Sequence, residues 1–168
     1  SDYMKPMARL ASLMELPVTY VLTHDSIGVG EDGPTHEPIE QLSMLRSMPN
    51  FTVFRPADAT ETIAGWYHAI TSKKTPTALV LSRQNLPQLE GSSKEALKGG
   101  YIIEDSKKDL PDAIIISSGS EVGLAINAKE ELEKEGIDVR VVSMPSMDLF
   151  EEQPQEYKDK VLPNNVRA

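Results

Sequence analysis

The sequence predicts an α/β protein made of two incomplete three-layer domains, each with a mostly parallel sheet, joined by a linker. Three observations carry this. Apolar, β-branched runs alternate with helical patterns along the chain. A polar, glycine-flanked stretch interrupts the alternation once. Each half holds about three strands, against the four to six of an ordinary sheet.

The elements follow in order. Met7, Leu10, Ala11 and Met14 fall at helical spacing, and Pro17 ends that pattern. "VTYVLT" (18–23) reads as a strand, and a long loop follows. Pro38 suits the first turn of the next helix, where a missing N–H costs nothing, and Ile39, Leu42 and Leu45 continue it. "FTVFR" (51–55) is the next strand. Asp58 and Glu61 form a D-x-x-E capping pattern before a helix with Ile63, Trp66, Tyr67 and Ile70 on one face. "TALVLS" (77–82) is a strand, and "QLEGSSKEALKGG" (88–100) is the linker. Beyond it, "GYII" and "AIIIS" are short strands. "SEVGLAINAKEELEKEG" is a helix with Ser120 as its cap and Gly136 as its stop, and "DVRVVSM" is a strand.

Composition narrows the function. Lys plus Arg number 17 against 26 Asp plus Glu, a formal charge of −9 with no basic stripe, so nucleic acid is not an expected partner. There is no cysteine, which excludes a disulfide framework, a thiolate zinc site and a cysteine nucleophile. No apolar run approaches a membrane span and the first residues lack a signal peptide's pattern, so a cytoplasmic setting without membrane contact is expected.

The chemistry concentrates in "THDSIGVGEDGPTHEP" (23–38), which holds two of the three histidines. Gly28, Gly30 and Gly33 spell G-x-G-x-x-G, but four residues separate the strand from Gly28, and Pro34 and Pro38 postpone the helix. Glu31 and Asp32 would also repel a phosphate, so a dinucleotide turn is not expected. The glycines let a tight loop turn while His24, Asp25, Glu31, Asp32, His36 and Glu37 face a common cleft. A solvated surface loop and a metal site are the alternatives, although the proline-broken spacing matches no compact ligand pattern. "IIISSGSEVGLA" places serines at a strand-to-helix turn, a potential anion site that a plain capped turn explains equally well.

"THDSIGVGEDGPTHEPIEQLSMLRSMPN", followed by "FRPAD" and "LSRQNLP", resembles transketolase, and "GSEVGLA" and "VRVVSMPSMDLF" resemble that family's C-terminal domain. The resemblance implies that residues 1–88 are the later part of a pyrimidine-binding domain, 89–100 a linker and 101–168 the start of a C-terminal domain. It implies thiamine diphosphate with Mg2+ or Ca2+ as cofactors, sugar phosphates as substrates, and a homodimer acting in the pentose phosphate pathway. By the same resemblance His24 and Arg83 hold the substrate phosphate, Asp32 reads a sugar hydroxyl, and His36 contacts the ketol unit. Tyr3 lines the aminopyrimidine pocket. An Arg fork suits phosphate and a carboxylate suits hydroxyls, so the side chains agree with these roles. The resemblance assigns no catalytic residue within the chain. The acid–base glutamate is expected upstream and the diphosphate domain elsewhere, so the isolated chain is expected to be inactive. Two other readings stay open: a relative similar to dihydroxyacetone synthase, and a non-catalytic interaction module.

Overall fold

The computed structural model describes residues 2–31 and 33–168. Six strands form two three-stranded sheets. In the first, β1 (Thr19–Asp25) and β2 (Thr52–Phe54) both run parallel to the central β3 (Thr77–Ser82). In the second, the central β6 (Val139–Ser143) pairs parallel with β5 (Ala113–Ser117) and antiparallel with β4 (Tyr101–Glu104). The antiparallel β4 departs from the parallel sheet expected after the linker. Its cause is the connection: β4 has no long helical crossover before β5, which a parallel neighbour would require.

The helices are α1 (Lys5–Leu13), α2 (Gln41–Arg46), α3 (Ala59–Thr71), α4 (Glu121–Lys134), α5 (Met147–Glu151) and α6 (Gln155–Val161). Pro38 does not enter α2, which begins three residues later, with Ile39 exposed outside it. Ser120 precedes α4 but does not cap it by a hydrogen bond; its hydroxyl donates to Glu121 Oε1 instead. Among the described residues, no helix is long and apolar enough to cross a membrane.

Strand alternation sorts the core into layers. From β2 and β3, Val53, Ala78 and Val80 pack with Ala8, Leu45 and Met48 beneath α1 and α2. Their alternate neighbours Phe54 and Leu79 point the other way. They join Ala64 of α3 with Tyr101, Ile103, Val122, Val141 and Leu149 from beyond the linker. On the far face of the second sheet, Ile114 and Val142 pack with Met144, Phe150 and Val161. The middle layer is therefore shared by both halves of the chain.

The stretch read as a loose linker is anchored to that layer. Asp58 caps α3 by accepting from Glu61 N at 2.9 Å, as the D-x-x-E pattern predicts, and it also accepts from Leu89 N, Gln88 Nε2 and Ser92 Oγ. Ala96, in a 3-10 turn (Lys94–Lys98), has 0% exposure. Charged residues in this segment point outward from a short apolar anchor, and its composition conceals the anchor.

Glu61 does not complete the usual reciprocal box. Its carboxylate accepts from Ala57 N at 2.7 Å and then turns into the shared layer, accepting from Ser143 Oγ at 2.6 Å and Tyr101 Oη at 2.9 Å. Burial raises its pKa above the ordinary carboxylate value, opposed by these three donors, with the Asp58 charge adding to the rise. Burial and the neighbouring Glu61 push the Tyr101 phenol up as well.

Two helix faces match their predicted spacing but not their expected burial. On α1 the inward residues are Ala8, Ala11 and Ser12, while Met7, Leu10 and Met14 are exposed. On α3 the inward residues are Glu61, Ala64, Gly65 and Ala69, while Ile63, Trp66, Tyr67 and Ile70 are exposed. Small residues let each helix sit close to its sheet and leave the bulky apolar stripe outside.

Glu61→Ala is expected to lower the unfolding free energy in chemical denaturation by about 2–4 kcal/mol, because it strands two hydroxyls and a backbone N–H in the core. The raised pKa means that the folded state holds the Glu61 proton more tightly than the unfolded chain. Stability from this group is thus full below the ordinary carboxylate pKa and declines as pH rises through the elevated value. Glu61→Gln should lack that decline.

Candidate functional site

Parallel pairing sets the location. β1 and β3 run side by side from Thr19↔Thr77 to Asp25↔Ser82, so the segments leaving both strands share one rim. His24 lies at the end of the first and Arg83 directly after the second. Open α/β sheets gather their ligand sites along such a rim.

The end of β1 is irregular. Its register shifts between Leu22 and Asp25, and His24 takes a left-handed φ of 69°. Ser26 does likewise at 75°. Non-glycine residues adopt this region at a cost of about 1–3 kcal/mol each, so surrounding contacts must hold them there. Ser26 Oγ accepts from Gly28 N at 3.2 Å and from Gln84 Nε2 at 3.0 Å, which ties the loop to the segment after β3. Val29, fully buried in the short 3-10 turn Ile27–Val29, pins the loop from below. Thr23 Oγ1 and His24 Nδ1 share a hydrogen bond at 2.9 Å; Thr35 Oγ1 and His36 Nδ1 share one at 3.0 Å. Each imidazole thus has one nitrogen engaged by the preceding threonine, with the other nitrogen available to a ligand.

A cleft of about 500 Å3 opens between this rim and α2, and Tyr3, His24 and His36 all line it. Leu22, Leu42, Leu45 and Val80 give it an apolar floor, and Gln41 and Glu37 stand at its edge. Tyr3 is 99% exposed. Arg83 lies outside this wall, on the far side of the Gly30 turn: a methyl group on Gly30 would come within 3.5 Å of an Arg83 guanidinium nitrogen. Glu31 is exposed and outside the wall. Asp32 lies outside the described residues.

Asp25 corrects the expectation that all the loop's polar side chains face the cleft. It is buried, and its carboxylate accepts from Arg55 Nε at 2.6 Å. Sequence reasoning missed Arg55 and Gln84. Both stand next to recognised blocks, Arg55 in "FRPAD" and Gln84 in "LSRQNLP", but no local periodicity marks them.

The cleft suits some ligand parts and not others. An exposed tyrosine ring above an apolar floor fits the edge of a flat heteroaromatic ring. Among its described lining residues there is no Lys or Arg to meet a diphosphate. No group of three or more His or acidic residues among the described residues could hold a metal ion. This half of a site can take a ring and a neutral or hydroxylated chain, with Arg83 and His24 on the rim for an anionic end.

Comparison with known proteins agrees with this geometry. Residues 1–88 match the family described as transketolase, pyrimidine binding domain, and residues 99–168 match the transketolase-like C-terminal domain. A transketolase of Bacillus subtilis is 63% identical across 99% of this chain and 26% of its own length. A transketolase of Pichia stipitis solved with sedoheptulose-7-phosphate is 53% identical, with a TM-score of 0.94 over 98% of this chain and 24% of that one. A split-gene transketolase solved as an inactive β4 tetramer is 30% identical, with a TM-score of 0.63 over 78% of this chain and 40% of that one. The chain thus spans about a quarter of the length of the curated relatives it matches.

The loop's dependence on Gly30 can be tested. At φ 87° and ψ −135° this residue occupies a region that side chains avoid. Gly30→Ala is expected to cost about 1–3 kcal/mol in chemical denaturation.

Proposed function

This chain belongs to the transketolase family, and from that premise we propose that it is the segment of a transketolase that binds the sugar substrate beside thiamine diphosphate. In this reading residues 1–88 are part of the pyrimidine-binding domain, 89–100 the connection, and 101–168 part of the C-terminal domain. The whole enzyme moves a two-carbon ketol unit from a ketose phosphate to an aldose phosphate within the pentose phosphate pathway. The observation that carries the reading is the joint placement of Tyr3, His24 and His36 around one cleft, with Arg83 on the same rim.

Thiamine diphosphate supplies the carbon nucleophile, and the protein supplies binding and orientation. Tyr3 packs against the aminopyrimidine ring. His36 hydrogen-bonds the ketol oxygens through the nitrogen that Thr35 leaves available, and Asp32 selects the stereochemistry of a sugar hydroxyl. Arg83 and His24 hold the distant phosphate, and that remote binding energy aligns the reacting carbonyl. The diphosphate, its Mg2+ or Ca2+, and the acid–base glutamate are assigned to other parts of the enzyme, which accords with the lack of cations along the cleft's described lining. The reading extends to a cytoplasmic homodimer. The exposed apolar stripes of α1 and α3 support further packing partners.

In the full-length enzyme, Arg83→Ala is expected to lower kcat/KM for phosphorylated donors by about 10–100-fold, the scale of one or two charged hydrogen bonds. Hydroxypyruvate, too short to reach that rim, should lose far less, and His24→Ala should show the same selectivity with a smaller loss. Equal losses for both donor types would remove the phosphate assignment.

The 168-residue chain alone, supplied with thiamine diphosphate and Mg2+, should give no turnover in a coupled ketol-transfer assay. Measurable activity of the purified chain would show that the acid–base group lies within it.

A further inference from the structure

Arg55 is buried, and its guanidinium serves three segments at once. Nε donates to Asp25 at 2.6 Å, in the loop after β1. Nη1 donates to the Ser118 carbonyl at 2.5 Å, to Ser118 Oγ at 3.1 Å, and to the Glu121 carboxylate, all at the start of α4. The backbone joins in: Arg55 N donates to Pro145 O at 2.7 Å, and Gly119 N donates to Arg55 O at 3.2 Å. Gly119 is required beneath the side chain, since a methyl there would stand 2.8 Å from the guanidinium carbon. Burial alone would weaken the charge, but Glu121 and Asp25 together hold the Arg55 pKa above its ordinary value.

Asp25 is flanked by the two left-handed residues, His24 and Ser26. Ser26 has a direct hold through Gln84. The described contacts of the His24 side chain amount to the adjacent Thr23, which moves with it. What fixes the His24 backbone is therefore the next residue, clamped by Arg55.

We propose that Arg55 is a positioning residue for His24, anchoring the loop through Asp25 to the start of α4 so that the imidazole is held toward the cleft. The anchor lies in the second half of the chain. The phosphate end of the site is thereby set by the contact between the two sheets, and not by the first sheet alone. The kinetic side of this proposal rests on the reading of His24 as a ligand of the substrate phosphate.

The test uses the full-length enzyme and four variants: His24→Ala, Arg55→Lys, Glu121→Gln and the His24→Ala/Arg55→Lys pair. Arg55→Lys keeps the charge but loses the fork that reaches Asp25 and α4 together. It is expected to raise KM for a phosphorylated donor by about tenfold with kcat little changed, and to affect hydroxypyruvate by less than about threefold. Glu121→Gln, at a half-exposed position where folding is not at stake, should show a smaller shift of the same kind. The pair should lose no more than His24→Ala alone, because a displaced histidine and a missing one are equivalent. Additive losses, or equal losses on both donors, would overturn the proposal. A crystal structure of Arg55→Lys supplies the readout that is independent of donor kinetics, with His24 expected to leave its left-handed φ. If His24 moves there while His24→Ala shows no donor selectivity, the positioning role stands and the phosphate role of His24 falls. If the loop is unchanged, Arg55 is not what positions it.

Discussion

The two sheets meet through buried polar groups, and the segment Arg55 to Glu61 supplies most of them. A guanidinium or carboxylate taken out of water costs several kcal/mol unless partners surround it. Arg55 finds its partners in the loop after β1 and at the start of α4; Glu61 finds its own on β4 and β6. Asp58, between them, holds the cap of α3 and the connecting segment together. None of these groups can be satisfied by one sheet. Apolar packing in the shared layer tolerates small slides, whereas these hydrogen bonds admit one relative placement.

That placement bears on the site. The rim at the ends of β1 and β3 carries two residues in strained backbone conformations, and strain of this kind persists only where neighbours over-determine it. Gln84 holds one side of the loop and Arg55 the other. The cleft is in turn shallow and open above Tyr3, as suits a surface that supplies one wall of a larger site.

Much of this was readable from residue order, because the signals are local. Each strand was found from its β-branched run, since a buried strand shows its character within five residues. Asp58 was found as a cap because capping spans three residues, and the loop carrying His24 and His36 stood out by its histidines and glycines. The misreadings all involve distant partners. Ala96 and Leu97 look unremarkable among lysines, and only the far side of the shared layer reveals them as an anchor. The stripe Ile63, Trp66, Tyr67 and Ile70 is correct as a helical face, but periodicity shows which residues lie together and not which side has a neighbour. Asp25 reads as one more polar loop residue because its partner is thirty positions away. Pro38 permits a helix start without requiring one, and α2 begins later. α5 and α6 are too short for a periodic signal of their own.

The bond from Ser143 to Glu61 spans 82 positions, and that from Arg55 to Ser118 spans 63. During synthesis the first sheet leaves the ribosome well before β6 exists. Glu61 then remains in water and ionised at neutral pH, on a helix whose inner side has nothing to close against. Final docking must await the second sheet, and it must carry a carboxylate into the interior at that moment. Contacts this distant in sequence slow folding, because chain entropy is lost before any of them forms. The nascent chain therefore passes through an interval in which its first half has its strands but lacks its interior, the stage at which chaperone binding would matter most.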